Sequence, residues 1–233
     1  MDKSAIRNAA TVILVRDGAH GPQVLMGQRG AGAAFMPNKF VFPGGAVDAA
    51  DAAVPLAGAP PRGCAARLRE ESDPALVNAL YVAAIRELWE ETGQILGEPG
   101  PWPTPEVPED WKAYAATGHR PSPEGLHFFF RAITPPGRPR RFDARFFVAR
   151  AEALRSDPDD FSRASDELSH LHWVPLAEAR SYDLPFITEV VLAELTKALR
   201  SGRMPETVPF FRNDDEESLF LRLGGRSPLT STG

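Results

Sequence analysis

The sequence predicts an α/β fold with a mixed sheet, on three observations. Apolar, β-branched runs bounded by Asp-Gly or Gly recur through the chain. A helical apolar period covers residues 75–92 and ends at Gly93. A second such period, Ile187, Val190, Val191, Leu195 and Leu199, follows the last clear strand and stops at Gly202.

In chain order, residues 9–15 form a first strand ending at Asp17-Gly18, and residues 23–26 a second that closes a hairpin-like start. Residues 40–42 lead into the turn Pro43-Gly44-Gly45, where glycine lets bare backbone approach a neighbour. Residues 48–72 are rich in Ala, Pro and Arg without a sustained period, and read as a loop with a short helical piece. Asp73-Pro74 reads as N-cap and first helical residue of the long helix. Its apolar positions Leu76, Leu80, Ala84 and Leu88, with Val77, Tyr81 and Ile85 beside them, predict one buried face opposite its acidic residues.

Prolines punctuate residues 97–126, where Trp102, Trp111 and Tyr114 suggest a cap or rim, with a short helix over 109–116. Aromatic rings there serve packing or stack on a base. Residues 127–133 and 142–148 read as strands joined by Pro135-Pro136-Gly137, and residues 171–176 as a further strand. Residues 204–233 are increasingly polar and read as a trailing arm, which a homodimer interface or a cap could use.

Composition narrows the function. At 233 residues, the chain suits one elaborated domain, residues 1–233, better than two small ones. A net charge of −5 offers no global basic field for nucleic acid or an anionic membrane. The single cysteine, Cys64, has no internal partner and no zinc-like pattern around it. No N-terminal apolar core or membrane-length window is present, so a cytoplasmic protein is expected, and Ser231-Thr232-Gly233 is not a peroxisomal address.

The chemistry concentrates in Arg86-Glu87-Leu88-Trp89-Glu90-Glu91-Thr92-Gly93. On a helix, Glu87, Glu90 and Glu91 fall at i, i+3 and i+4, so three carboxylates share one face and repel unless a cation sits among them. A solvated acidic stripe would explain the run alone; the Pro-Gly-Gly turn upstream is what sets it apart. The two together resemble the signature of the Nudix hydrolases: Gly, five residues, Glu, seven residues, then Arg-Glu-apolar-any-Glu-Glu-any-Gly-apolar.

Residues 86–94 match that pattern except at the last position, where Gln94 precedes Ile95 and Leu96. Upstream, Gly45 is followed after five residues by Asp51 rather than Glu, and 34 residues separate Asp51 from Arg86. The box is thus split by an insertion, residues 52–72. Either Asp51 stands for the first acidic residue, or Asn78, at the unsplit spacing, takes its place. A split box and the segment Arg141-Phe142-Asp143-Ala144-Arg145-Phe146-Phe147 resemble the peroxisomal coenzyme A diphosphatase subfamily.

The resemblance, over roughly residues 9–200, implies an α/β/α sandwich with mixed sheet and hydrolysis of a pyrophosphate bond in a nucleotide substrate. Coenzyme A or acyl-coenzyme A is the expected substrate; nucleoside diphosphate sugars, ADP-ribose and dinucleotides are alternatives, and a non-catalytic nucleotide-binding module is the reading of another class. Mg²⁺ is the expected cofactor, with Mn²⁺ as substitute, held by Glu87, Glu90, Glu91 and the Gly44 carbonyl. Glu87 doubles as a proton acceptor, Glu167 (or adjacent Asp166) approaches from a later loop, and Arg86 holds a neighbouring carboxylate. Arg29, Arg138, Arg140, Arg141 and Arg145 are candidates for substrate phosphates, because fork-like donors suit them.

Overall fold

A computed structural model describes residues 5–33, 35–205, 207–213 and 218–223. The chain runs β1 (Ile6–Gly18), β2 (Gly21–Arg29), β3 (Phe40–Val41), β4 (Gly44–Ala46), α1 (Cys64–Arg69), α2 (Leu76–Thr92), β5 (Gly97–Pro99), α3 (Lys112–Ala115), β6 (His119–Pro121), β7 (His127–Ile133), β8 (Arg141–Arg150), β9 (Leu168–Pro175), α4 (Phe186–Ser201), β10 (Pro209–Asn213) and β11 (Ser218–Arg222). The main sheet has the order β11-β10-β7-β8-β1-β2-β3, with β4 also paired to β1 and β9 to β2. It is mixed: β1 with β8 and β7 with β10 are parallel, while the other pairs are antiparallel.

Period-2 alternation builds two cores from one sheet. Ala10, Val12 and Leu14 of β1 and Phe147 and Ala149 of β8 join the core beneath α2. Ile13 and Val15, with Phe146 and Val148, join the one beneath α4, against Val191, Leu192 and Leu195. Each Val, Leu, Ile or Phe among them contributes about 1.5–3 kcal/mol when fully buried. The expected α/β/α sandwich is the observed one.

Helix α2 differs from its expectation in two ways. It begins at Leu76 with Ala75 as N-cap, and Asp73 instead takes the Ala75 N–H on its carboxylate at 2.9 Å. Its C-terminus is as read: Gly93 is left-handed at φ 73°, its N–H bonded to Trp89 O at 2.8 Å. The helix is also buried almost all round rather than on one face, Val82 and Ala83 included. The residues of 97–126 cover it: Trp111 and Tyr114 are buried, stacked edge-on to each other at 5.2 Å, with Tyr114 edge-on to Trp89 at 5.6 Å. Those two rings therefore pack and are not available to a base.

The segment read as a trailing arm instead supplies β10 and β11, which extend the sheet past β7, with Phe220 stacked on Phe130 at 6.2 Å. Residues 224–233 of that reading lie outside the described residues. Strands β4, β5 and β6 were not expected from sequence.

Candidate active site

The site forms where β4 brings the Pro43-Gly44-Gly45 turn against the last two turns of α2. Gly44 pairs with Thr11 and Gly45 with Ala10 of β1. The Gly44 N–H donates to Glu91 Oε2 at 2.7 Å. A Cβ on Gly44 would lie 2.5 Å from Ala10 O, and one on Gly45 would lie 2.5 Å from Glu87 Cδ. Both glycines are thus required by close approach, the first to backbone and the second to a carboxylate. A Gly45→Ala substitution is expected to displace Glu87, costing about 1–3 kcal/mol of stability. Urea unfolding checks that, and an unchanged midpoint would show that Glu87 can step aside freely.

Arg86 organises the carboxylates. Its Nε and Nη2 donate to Asp51 Oδ1 and Oδ2 at 3.0 and 3.1 Å, a fork-on-fork pair. Nη1 donates to Glu87 Oε1 at 2.8 Å and Glu90 Oε2 at 3.2 Å, and Nη2 also reaches Ala46 O at 3.0 Å. Burial lowers the Arg86 pKa, but the Asp51 hydrogen bond and the charges of Glu87, Asp51 and Glu90 outweigh it and leave it raised. Asp51 is buried, and its Oδ2 accepts the Asp48 N–H at 2.8 Å. The split is closed in space: Asp51 meets Arg86 across the insertion. Asn78 instead donates to Ala52 O and Val54 O at 3.3 and 3.0 Å, tying the insertion to α2.

Glu87, Glu91 and Glu167 each place a carboxylate oxygen within 4.8 Å of the others. Glu167 comes from the loop before β9, and it rather than Asp166 joins this set. Glu90, with its side chain 39% exposed, stands on the open side of Arg86. Burial pushes Glu87 up to about 7, with Arg86 opposing and Glu90 and Glu167 adding to the rise. Glu91 is held well above the usual carboxylate range by burial, despite the Gly44 N–H, with Glu87 and Glu167 adding and Arg29 opposing. Glu90 is raised mainly by burial, against Arg86. Three acidic oxygens this close, two of them buried and resisting ionisation, fit a hard divalent cation, whose charge would favour their ionised form.

A pH dependence follows for protein stripped of divalent cations. Glu87 has a folded pKa above its unfolded value near 4.5, so the native state binds the extra proton between the two values. Its contribution is fully present below pH 4.5 and is lost as pH rises through 7, about 3 kcal/mol in all. Urea unfolding in chelator at pH 5 and pH 8 should show a steeper loss for the wild type than for Glu87→Gln. Identical slopes would contradict the assignment.

The arginines expected at substrate phosphates separate. Arg29, at the end of β2, has a buried Nε without a hydrogen-bond partner and lies close enough to Glu91 to lower its pKa. Arg138 and Arg140 are exposed beside the β7–β8 turn. Arg141 is half-buried and Arg145 buried, and both have hydrogen-bond partners within the protein. Arg141 Nε donates to Thr134 O at 3.1 Å. Arg145 is 1% exposed, with Nη1 on Asn8 Oδ1 at 2.6 Å and Asp143 O at 2.8 Å, and Nη2 on Ser72 Oγ at 2.8 Å. Burial lowers its pKa to about 10, against the charge of Asp143. Its alternation with Phe147 was the available signal, since both point to the α2 side of β8.

No protein-family model matches the chain. Nudix hydrolase 7 of Caenorhabditis elegans is 29% identical over 199 residues, which cover 78% of this chain and 58% of that protein, so the chain spans somewhat over half of this relative's length. The crystal structure of a NUDIX hydrolase from Alicyclobacillus acidocaldarius superposes with a TM-score of 0.59 at 27% identity, covering 87% of this chain and 99% of that one. A C. elegans Ap4A hydrolase in a binary complex gives a TM-score of 0.48 at 16% identity, over 84% and 99% of the two chains, and has no bearing on substrate. Fold and motif together define a Nudix-type α/β/α protein. In sequence and in fold the chain is similar to Nudix hydrolases. Among the described residues, no helix is long and apolar enough to cross a membrane.

Proposed function

We propose that the protein is a Mg²⁺-dependent hydrolase that cleaves the pyrophosphate bond of a nucleoside diphosphate joined to a second moiety, with coenzyme A or an acyl-coenzyme A as substrate. The observation that carries the reaction class is the convergence of Glu87, Glu91 and Glu167 beside the Gly44-Gly45 turn. These three carboxylates would hold the cation; Glu90 and the Gly44 carbonyl are the further ligands that the motif implies. A bound divalent cation supplies shielding of phosphate charge and makes water at the site more acidic.

The chain's own groups do the rest. Glu87, oriented by Arg86 and kept ionised by the cation's charge, would take a proton from the attacking water. Arg29 offers an unpartnered Nε to a phosphate oxygen. Arg86 keeps Glu87 and Glu90 oriented while Asp51 holds Arg86. The coenzyme A assignment rests on the split box, whose insertion is fastened to α2 through Asn78. Arg145 no longer supports it, being engaged within the protein.

Mass spectrometry of products from a mixture of coenzyme A, acyl-coenzyme A, ADP-ribose, NADH and nucleotide sugars, with Mg²⁺, tests the substrate. Release of 3′,5′-ADP with a phosphopantetheine supports the assignment. Cleavage of another member alone replaces the substrate and keeps the reaction class.

A further inference from the structure

The motif position after Gly93 carries an amide where an apolar side chain is the pattern, and that amide is fully buried. Gln94 Nε2 donates to Asp157 O at 3.1 Å and to Asp160 O at 2.9 Å, while its Oε1 accepts from Ser156 Oγ at 2.7 Å. The same Ser156 Oγ accepts the Ile95 N–H at 3.0 Å. All three loop contacts fall in residues 154–167, the connection that ends at Glu167.

We infer that Gln94 is a positioning residue for Glu167: it fastens the loop that delivers this carboxylate to the very helix end that carries Glu87 and Glu91. A loop of this length with no strand or helix of its own would otherwise sample many positions, and a cation site tolerates little displacement of its ligands. The fastening continues towards Glu167. The Ser165 N–H donates to Glu90 O at 3.0 Å, and Arg163 packs so closely on Gly93 that a Cβ there would lie 2.9 Å from its own Cβ. On the far side, Trp173 Nε1 donates to Pro158 O at 2.9 Å. An apolar residue at 94 would leave the Asp157 and Asp160 carbonyls without these partners; a buried amide with a donor pair and an acceptor meets all three groups. The polar departure from the motif is thereby explained.

The inference rests on the functional reading only in taking Glu167 as a cation ligand. The test is Mn²⁺ binding, measured by water-proton relaxation, for wild type, Gln94→Met, Glu167→Gln and the double variant, with deuterium exchange of residues 154–167 in metal-free protein. Gln94→Met is expected to weaken Mn²⁺ binding about tenfold, within the range for supporting contacts around a metal site, and to speed exchange in the loop. The double variant should bind no more weakly than Glu167→Gln, because loosening the loop costs nothing once its carboxylate is gone. Additive losses, or wild-type binding by Gln94→Met, would overturn the inference while leaving Glu167 as a ligand. Should Gln94→Met fail to fold, Ser156→Ala carries the test, with a smaller loss and faster loop exchange expected and no change in either overturning it. Wild-type Mn²⁺ binding by Glu167→Gln would overturn both this inference and the reading it rests on.

Discussion

Replacing Arg86 by alanine is expected to destabilise the protein by about 3–5 kcal/mol, the range for removing one member of a buried ionic group. Against a total stability of roughly 5–15 kcal/mol, that is enough to unfold a sizeable fraction of the chains. The size follows from what is stranded: Asp51 is buried with both oxygens on the guanidinium, and Glu87 and Glu90 lose their shared counter-charge. Arg86→Lys should recover only part of the loss, since a point charge cannot pair both Asp51 oxygens and also reach Glu87. Denaturant unfolding of the two variants measures this. A loss under about 1 kcal/mol for Arg86→Ala would mean that the carboxylates simply take up protons and the network contributes little.

Glu91→Gln should act in the opposite direction on stability and far more strongly on turnover. Its amide oxygen can still accept the Gly44 N–H, so the turn keeps its anchor, and a buried carboxylate that resists ionisation is removed. In chelator the variant should therefore unfold at a temperature no lower than the wild type. Activity should fall about a thousandfold, equivalent to about 4 kcal/mol of barrier, because a cation ligand is lost. A site that sacrifices fold stability for chemistry shows this pairing of signs. Turnover within a few-fold of wild type at saturating Mg²⁺ would remove Glu91 from the cation site.

What could be read from sequence was local. The long helix and its stop at Gly93 follow from an apolar period and a left-handed cap within a few residues of each other. Of the carboxylates that converge, Glu87 and Glu91 follow from helical spacing, while Glu167 comes from a later loop and Glu90 lies outside the set. The Asp51–Arg86 pair did not, because 34 residues intervene and nothing local shows whether Asp51 or Asn78 returns to the helix. Arg145 is a candidate for phosphate in the sequence because arginine suits phosphate. Its place on the α2 face of β8, with Asn8, Ser72 and Asp143 around it, is a tertiary fact that alternation alone hints at. Strands β10 and β11 are short, and their rings find partners earlier in the chain, Phe220 on Phe130 of β7 and Phe211 on Phe186 of α4. Gln94 was visible as a departure from the motif, but its reason lay in a loop more than 60 residues on.

The cation dependence of cleavage tests the central claim most directly. Hydrolysis of the coenzyme A, ADP-ribose and nucleotide-sugar panel should be followed in chelator and across a Mg²⁺ titration, with wild type and Glu91→Gln compared. The account predicts no cleavage in chelator, saturable restoration by Mg²⁺ for the wild type, and almost none for the variant. Cleavage that persists in chelator, or a variant that responds to Mg²⁺ as the wild type does, would contradict it.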